Sequence, residues 1–381
     1  MIVAEANRIA NIKEYYFVKK LQQVRQMQSN GLDVINFGIG SPDMAPPQDV
    51  LVALAEASEE NINGYQPYTG RLALREAMVD WYQTTYGVAL QADAEILPLM
   101  GSKEGIMHLS MAFLNEGDQV LVPNPAYPAY TSVSKIVGAE VLYYSLSEQS
   151  SWYPDIEELS KQDLSKVKMM WVNYPHMPTG TPPRKDVFEQ LVRFAKEKQI
   201  LLCHDNPYSL VLNQVKPMSI FSIEGAFDVA VELNSLSKSH NMAGWRVGML
   251  SGKKEYIQAA LKVKSNMDSG MYYGIQKATI QALKTNADWH KQRNETYTKR
   301  KKLVCKLLDT LECRYSTEQT GMFVWAKPKK QKDIDPWLDE ILEEKHIFIT
   351  PGKIFGSNGE GYIRLSLCVK EQDIQKAIDR F

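Results

Sequence analysis

Between residues 119 and 250 the chain alternates short apolar runs with amphipathic helical stretches, and this alternation limits the possible folds more than any other feature. Apolar runs at 119–122, 140–144, 168–173 and 200–204, and a strand end marked by Val231 and Leu233, are separated by helical patterns near Ile156 and over 186–196. Such spacing predicts a mostly parallel sheet wrapped by helices, an α/β fold. The tail alternates differently, with strands expected at 322–325, 347–350 and 362–367 and helices at 337–343 and from Gln372. That pattern predicts a smaller α+β unit completed by the N-terminal arm. The expected division is 1–45 for the arm, 46–285 for the large domain and 286–381 for the small one.

Composition removes several functional classes. With 381 residues, 44% hydrophobic and 23% charged, the chain has an ordinary globular balance and enough length for two domains. Forty-four basic against 45 acidic residues leave a formal net charge of -1, so no nucleic-acid footprint is expected. Cys203, Cys305, Cys313 and Cys368 show no CxxC or Cys/His ligand spacing and read as buried free thiols in a reducing compartment. No window reaches the ~18 apolar residues of a membrane span and the first residues lack a signal-peptide core. A cytoplasmic protein without a membrane partner is expected.

Within this frame one lysine stands out. Lys238 lies in VELNSLSKSHNMAGWRVGML (231–250), surrounded by Ser235, Ser237, Ser239 and two glycines rather than by other solvated charges. An amine held in a partly desolvated pocket beside a second cation loses proton affinity and becomes nucleophilic, as a Schiff base with an aldehyde requires. Arg246, eight residues on, is the expected cation. Gly101, Ser102 and Lys103 open an apolar helix, where backbone N–H groups and the helix dipole form an anion site. Asp205 ends a very apolar strand and Arg364 sits inside another, and each charge needs a partner there.

The stretch SLSKSHNMAGWRVG resembles the cofactor-lysine region of the class I/II pyridoxal-phosphate aminotransferases of fold type I. The resemblance implies that Lys238 is in imine linkage with pyridoxal 5′-phosphate and that Ser235 and Arg246 hold its phosphate. It further implies that Tyr127 stacks on the cofactor ring, that Asp205 pairs with the ring nitrogen, and that Tyr208 bonds the phenolic oxygen. By the same likeness the Ile39–Gly40 backbone lies beside the substrate carboxylate and Arg364 grips it in a bidentate pair, a structural salt bridge being the alternative. Tyr65, in the loop 65–70, would reach across a homodimer interface to the neighbour's phosphate, unless it packs on its own loop. The loop 265–270 resembles one that borders the site from the partner subunit, and Tyr15 and Tyr16 are candidates for an N-terminal lid.

The implied activity is transfer of an α-amino group from an amino acid to a 2-oxo acid, with Lys238 as both anchor and general base. A β-lyase acting on a sulfur amino acid would use nearly the same residues, and a non-catalytic regulator would keep the cofactor fold. One position departs from the family pattern: in NYPHMPTG (173–180) Met177 stands where the family has an asparagine that donates to the phenolic oxygen. A thioether cannot donate, and the adjacent His176 faces the opposite way in extended backbone. Loss of that donor raises the proton affinity of the lysine–cofactor linkage. A spectral pH titration is expected to give a higher midpoint for the native protein than for Met177→Asn; equal midpoints would refute this.

Overall fold

The structure, a computed structural model, describes residues 2–10, 16–330 and 333–381. Among the described residues thirteen strands form three sheets. β1 (Ile35–Asn36) comes first. The central sheet contains β2 (Ile96–Leu99), β3 (Gln119–Asn124), β4 (Glu140–Ser145), β5 (Val167–Val172), β6 (Leu201–Asp205), β7 (Ala230–Ser235) and β8 (Gly248–Gly252). The last third of the chain adds β9 (Cys313–Tyr315), β10 (Phe323–Pro328), β11 (Ile347–Phe348), β12 (Thr350–Pro351) and β13 (Ile363–Ser366).

The central sheet has the order β2-β8-β7-β6-β5-β3-β4 and is parallel except for β8, which runs antiparallel to both its neighbours. Every residue of β6 and β7 is buried, as expected for strands covered on both faces. On one side Ile106 and Leu109 of the helix Ser102–Phe113 share a core with Val231 and Leu233. On the other, Phe188 and Leu191 of the helix Lys185–Lys198 share one with Met170 and Leu202. Asp205 is the register partner of Leu233, so the carboxyl ends of β6 and β7 finish side by side and deliver Asp205 and the lysine segment to one edge.

A second, antiparallel sheet has the order β12-β13-β10-β9, and β1 pairs with β11 in parallel. It stands near the same edge because the arm is tied to it: the Ser366 amide donates to the Phe37 carbonyl at 2.8 Å, and Arg300 of the long helix Ala287–Thr310 makes two bonds to Asp43, at 2.6 and 2.9 Å.

Two expectations need correction. The strand expected at 347–350 is two short strands, because the chain leaves the β1 pairing at Ile349 and joins β13. Of the four free thiols, Cys203 and Cys313 are buried but Cys305 and Cys368 only partly. β2 and β8 escape the sequence reading because Pro98 interrupts one and glycines end the other. The expected lid at Tyr15 and Tyr16 lies outside the described residues apart from the Tyr16 backbone.

Gly248 is where the lysine segment meets the helix Ser102–Phe113. A Cβ there would fall 2.6 Å from the Ser102 amide nitrogen and 2.8 Å from the Gly101 carbonyl carbon, and backbone cannot swing aside as a side chain can. Gly248→Ala is therefore expected to lower unfolding free energy by about 1–3 kcal/mol; an unchanged urea midpoint would show that the contact relaxes.

Candidate active site

The carboxyl edge of the central sheet and the face of the second sheet enclose a cavity of about 470 Å³. Lys238 opens onto it from the four-residue helix Leu236–Ser239. Ser235 caps that helix, accepting from the Ser237 amide at 3.1 Å and donating to the Val247 carbonyl at 3.1 Å. The Lys238 Nζ donates to the Gly40 carbonyl at 2.5 Å. Its side chain keeps some exposure because it faces the cavity, yet protein surrounds most of it. Desolvation lowers its proton affinity; Cys368 acts against this, and Arg364 and Arg246 reinforce it. The expected cation, Arg246, is thus joined by a second, Arg364. Arg246 lies further out, with Nη1 on the Ala243 carbonyl at 2.9 Å, so Arg364 has the larger effect.

Beside the lysine lies a cradle for an anion. Ser102 and Lys103 line the cavity at the start of the helix Ser102–Phe113, whose first amides face outward from the helix end. Gly101, the N-cap, has φ +91, and a Cβ on it would overlap the Arg246 Nη2 at 2.0 Å, so only glycine lets the guanidinium lie against the helix start. Ser235, Ser237 and Arg246 complete this end. Gly101 shapes the cradle from behind without itself lining the cavity.

At the opposite end Asp205 is buried. Its Oδ2 accepts from the Tyr130 hydroxyl at 2.7 Å, while its Oδ1 has no partner. Burial pushes the carboxyl up to about 6, with the Tyr130 bond pulling the other way. Tyr130, missed in the sequence, stacks on Trp171 with centroids 4.9 Å apart and planes 5° apart. Its one sequence signal is a position three residues beyond Tyr127, on the helix that starts at Pro128. Tyr127 itself lines the cavity, edge-on to Tyr130 at 5.7 Å. Tyr208 is buried in the wall, and burial pushes its phenol up, so it stays a donor.

Arg364 enters from β13. Its Nη2 donates to the Gly38 carbonyl at 2.9 Å, and its guanidinium carbon lies 3.9 Å from the Phe323 ring centre and 4.5 Å from that of Phe355. Its Nη1 meets the Met177 sulfur at 3.3 Å. Ile39 and Gly40 line the cavity between the two cations. Asn173 fixes the loop that carries Met177, donating to the Asp205 carbonyl at 2.6 Å and accepting from the Met177 amide at 2.8 Å. His176 is bonded to Thr179 at 2.7 Å; burial takes it down to about 3 and it stays neutral. Tyr65 is not brought to the cavity: it is 91% exposed.

An amine with depressed basicity, a dianion cradle and an orphaned carboxylate oxygen fit an aldehyde cofactor that carries a phosphate and a protonated ring nitrogen. The family model for aminotransferase class I and II matches residues 32–381. The chain belongs to that family. Among its relatives, an LL-diaminopimelate aminotransferase of Dehalococcoides mccartyi is 38% identical over 375 residues, 98% of this chain and 97% of the relative. One from Aquifex aeolicus is 36% identical over 377 residues, with the same shares covered. The solved apo-BacF structure from Bacillus subtilis superimposes with a TM-score of 0.95 at 33% identity, covering 99% of this chain and 97% of that one. Aspartate aminotransferase from Thermus thermophilus with maleate gives a TM-score of 0.92 at 26% identity, covering 100% and 99%. The protein is an aminotransferase, and its substrates are an amino acid and a 2-oxo acid. No described helix is long and apolar enough to cross a membrane.

The raised Asp205 carboxyl has a consequence for the cofactor-free aminotransferase. Its folded pKa, about 6, lies above the unfolded value of 3.8, so its contribution to stability is full below the unfolded pKa and is lost as pH rises through the folded one. Asp205→Asn removes that loss. The variant is expected to gain on the order of 2–3 kcal/mol relative to wild type between pH 4 and 7 in urea unfolding; a constant difference would refute the assignment. His176, His240 and His290, which burial shifts downward, are common to both proteins and cancel.

Proposed function

We propose that this aminotransferase works with pyridoxal 5′-phosphate carried on Lys238 and moves the α-amino group of an amino acid to a 2-oxo acid. The observation that carries the reading is the meeting of the desolvated Lys238 amine, the anion cradle at Ser102 and the unpartnered Asp205 oxygen in one cavity. When bound, the cofactor supplies the carbonyl that takes up the amino group and an electron sink for the substrate carbanion. The protein's residues do the remainder. Ser102, Lys103, Ser235 and Arg246 would hold the phosphate at the helix start that Gly101 shapes from behind, and Tyr127 would fix the plane of the ring. Asp205 Oδ1 accepts from the ring nitrogen and Tyr208 donates to the phenolic oxygen. Arg364 would grip the substrate carboxylate beside the Ile39–Gly40 backbone, and the Lys238 Nζ, as an unprotonated amine, would accept the substrate's α-proton as general base.

The exposed Tyr65 fits a homodimer in which each copy completes its partner's phosphate site, and the parallel-sheet body (46–285) and the C-terminal part (286–381) are proposed as separate domains in a cytoplasmic enzyme. Full-length relatives named as aminotransferases favour neither a β-lyase nor a regulator. Their names make LL-diaminopimelate one candidate donor.

Purified protein loaded with pyridoxal phosphate is expected to show a visible absorbance band that amino acids convert without any 2-oxo acid. Lys238→Ala should abolish the conversion and slow transfer by about 10²–10⁴-fold. A variant that transfers amino groups at the native rate would overturn the reading.

A further inference from the structure

We infer that the amino donor carries an apolar side chain, preferably an aromatic one, with no charge at its far end. The inference rests on the cofactor placement proposed above and extends it to the substrate. Among the described residues the charged side chains lining the cavity are Lys103, Asp205, Lys238, Arg246 and Arg364. Each has a task in that placement: Lys103 and Arg246 face the phosphate, Asp205 the ring nitrogen, Lys238 the reacting carbon and Arg364 the α-carboxylate. Of the polar groups, Asn173 is occupied at both ends by the Asp205 carbonyl and the Met177 amide.

The side chains of Leu21, Ile39, Met177, Phe323 and Phe355 add carbon and sulfur to the described wall. These residues come from five separate parts of the chain. Leu21, in the helix Tyr16–Ser29, packs on the cluster of Val24, Leu342 and Phe348. Phe323 and Phe355 are pinned against the Arg364 guanidinium. Ile39 is 41% exposed, an apolar group that a bound side chain would cover. A donor anchored through its carboxylate at Arg364 therefore directs its side chain toward apolar surface. There a second carboxylate or ammonium would lose its hydration without a described partner, which strongly disfavours it. Each well-buried methylene, in contrast, discriminates by about 10–200-fold.

The test is a single-turnover absorbance assay on the cofactor-loaded full chain with phenylalanine, leucine, alanine, glutamate and LL-diaminopimelate. It is paired with thermal-shift binding of the unreactive acids 3-phenylpropanoate and glutarate. Phenylalanine or leucine is expected to exceed glutamate and LL-diaminopimelate at least tenfold in kcat/KM, and 3-phenylpropanoate to bind more tightly than glutarate. Leu21→Ala should reduce the preference for phenylalanine over alanine by about tenfold. Equal or faster turnover of glutamate or LL-diaminopimelate would overturn the inference. Should the band form yet respond to no amino acid, the proposed chemistry fails, while the two unreactive acids still decide which side chain the cavity favours.

Discussion

Desolvation of two opposite functional groups in one cavity is the constraint on which the site depends. Burial lowers the basicity of the Lys238 amine and raises that of the Asp205 carboxyl, so both are held nearer neutrality than water would leave them. Neither state is supported by a close ion pair between the two. Lys238 leans on the Gly40 carbonyl, and Asp205 accepts a single bond from Tyr130 and leaves its other oxygen unmet. A buried polar atom without a partner is costly. The fold tolerates it here because the atom faces a cavity shaped for a ligand that would satisfy it.

The sheet supplies the rigidity that such an arrangement needs. β6 and β7 are buried throughout and end in register, which fixes the Asp205 and Lys238 segments relative to each other before any side chain contact is considered. The far end of the lysine turn is held from another direction. Arg293, buried on the helix Ala287–Thr310, donates to the carbonyls of Ser239 and Leu210, joining the turn after Lys238 to the loop after Tyr208. Burial brings this guanidinium down to about 10, yet it remains a cation at neutral pH. A single side chain thereby connects the helix leading to the second sheet with both halves of the lysine edge.

Much of this is legible in the sequence because charges in apolar or small-residue settings are conspicuous. Lys238, Asp205 and Arg364 each break such a run, and the structure brings all three to one cavity. The strand–helix alternation gives the parallel sheet for the same reason, since periodicity is local. What is not legible depends on distance or on irregular strands. Tyr130 meets Asp205 across 75 residues of chain, and no local pattern distinguishes it from any other helix aromatic. β2 contains a proline and β8 begins and ends in glycine, so neither reads as a strand until the pairing of Leu97 with Leu250 is seen. The relative weight of Arg364 and Arg246 on the lysine is likewise a matter of three-dimensional placement rather than of an eight-residue spacing.

Met177 is a direct neighbour of Arg364. The sulfur lies against Arg364 Nη1 at 3.3 Å, and a thioether is a weak acceptor. The orientation of the guanidinium is therefore set mainly by the Gly38 carbonyl at one nitrogen and by the faces of Phe323 and Phe355. Stacking of this kind fixes the plane of an arginine without using its donors. An amide oxygen in place of the sulfur would accept from the same Nη1 hydrogens more strongly than the thioether does. Arg364 is thus held between two aromatic faces and a backbone carbonyl, with the Met177 thioether at its remaining edge.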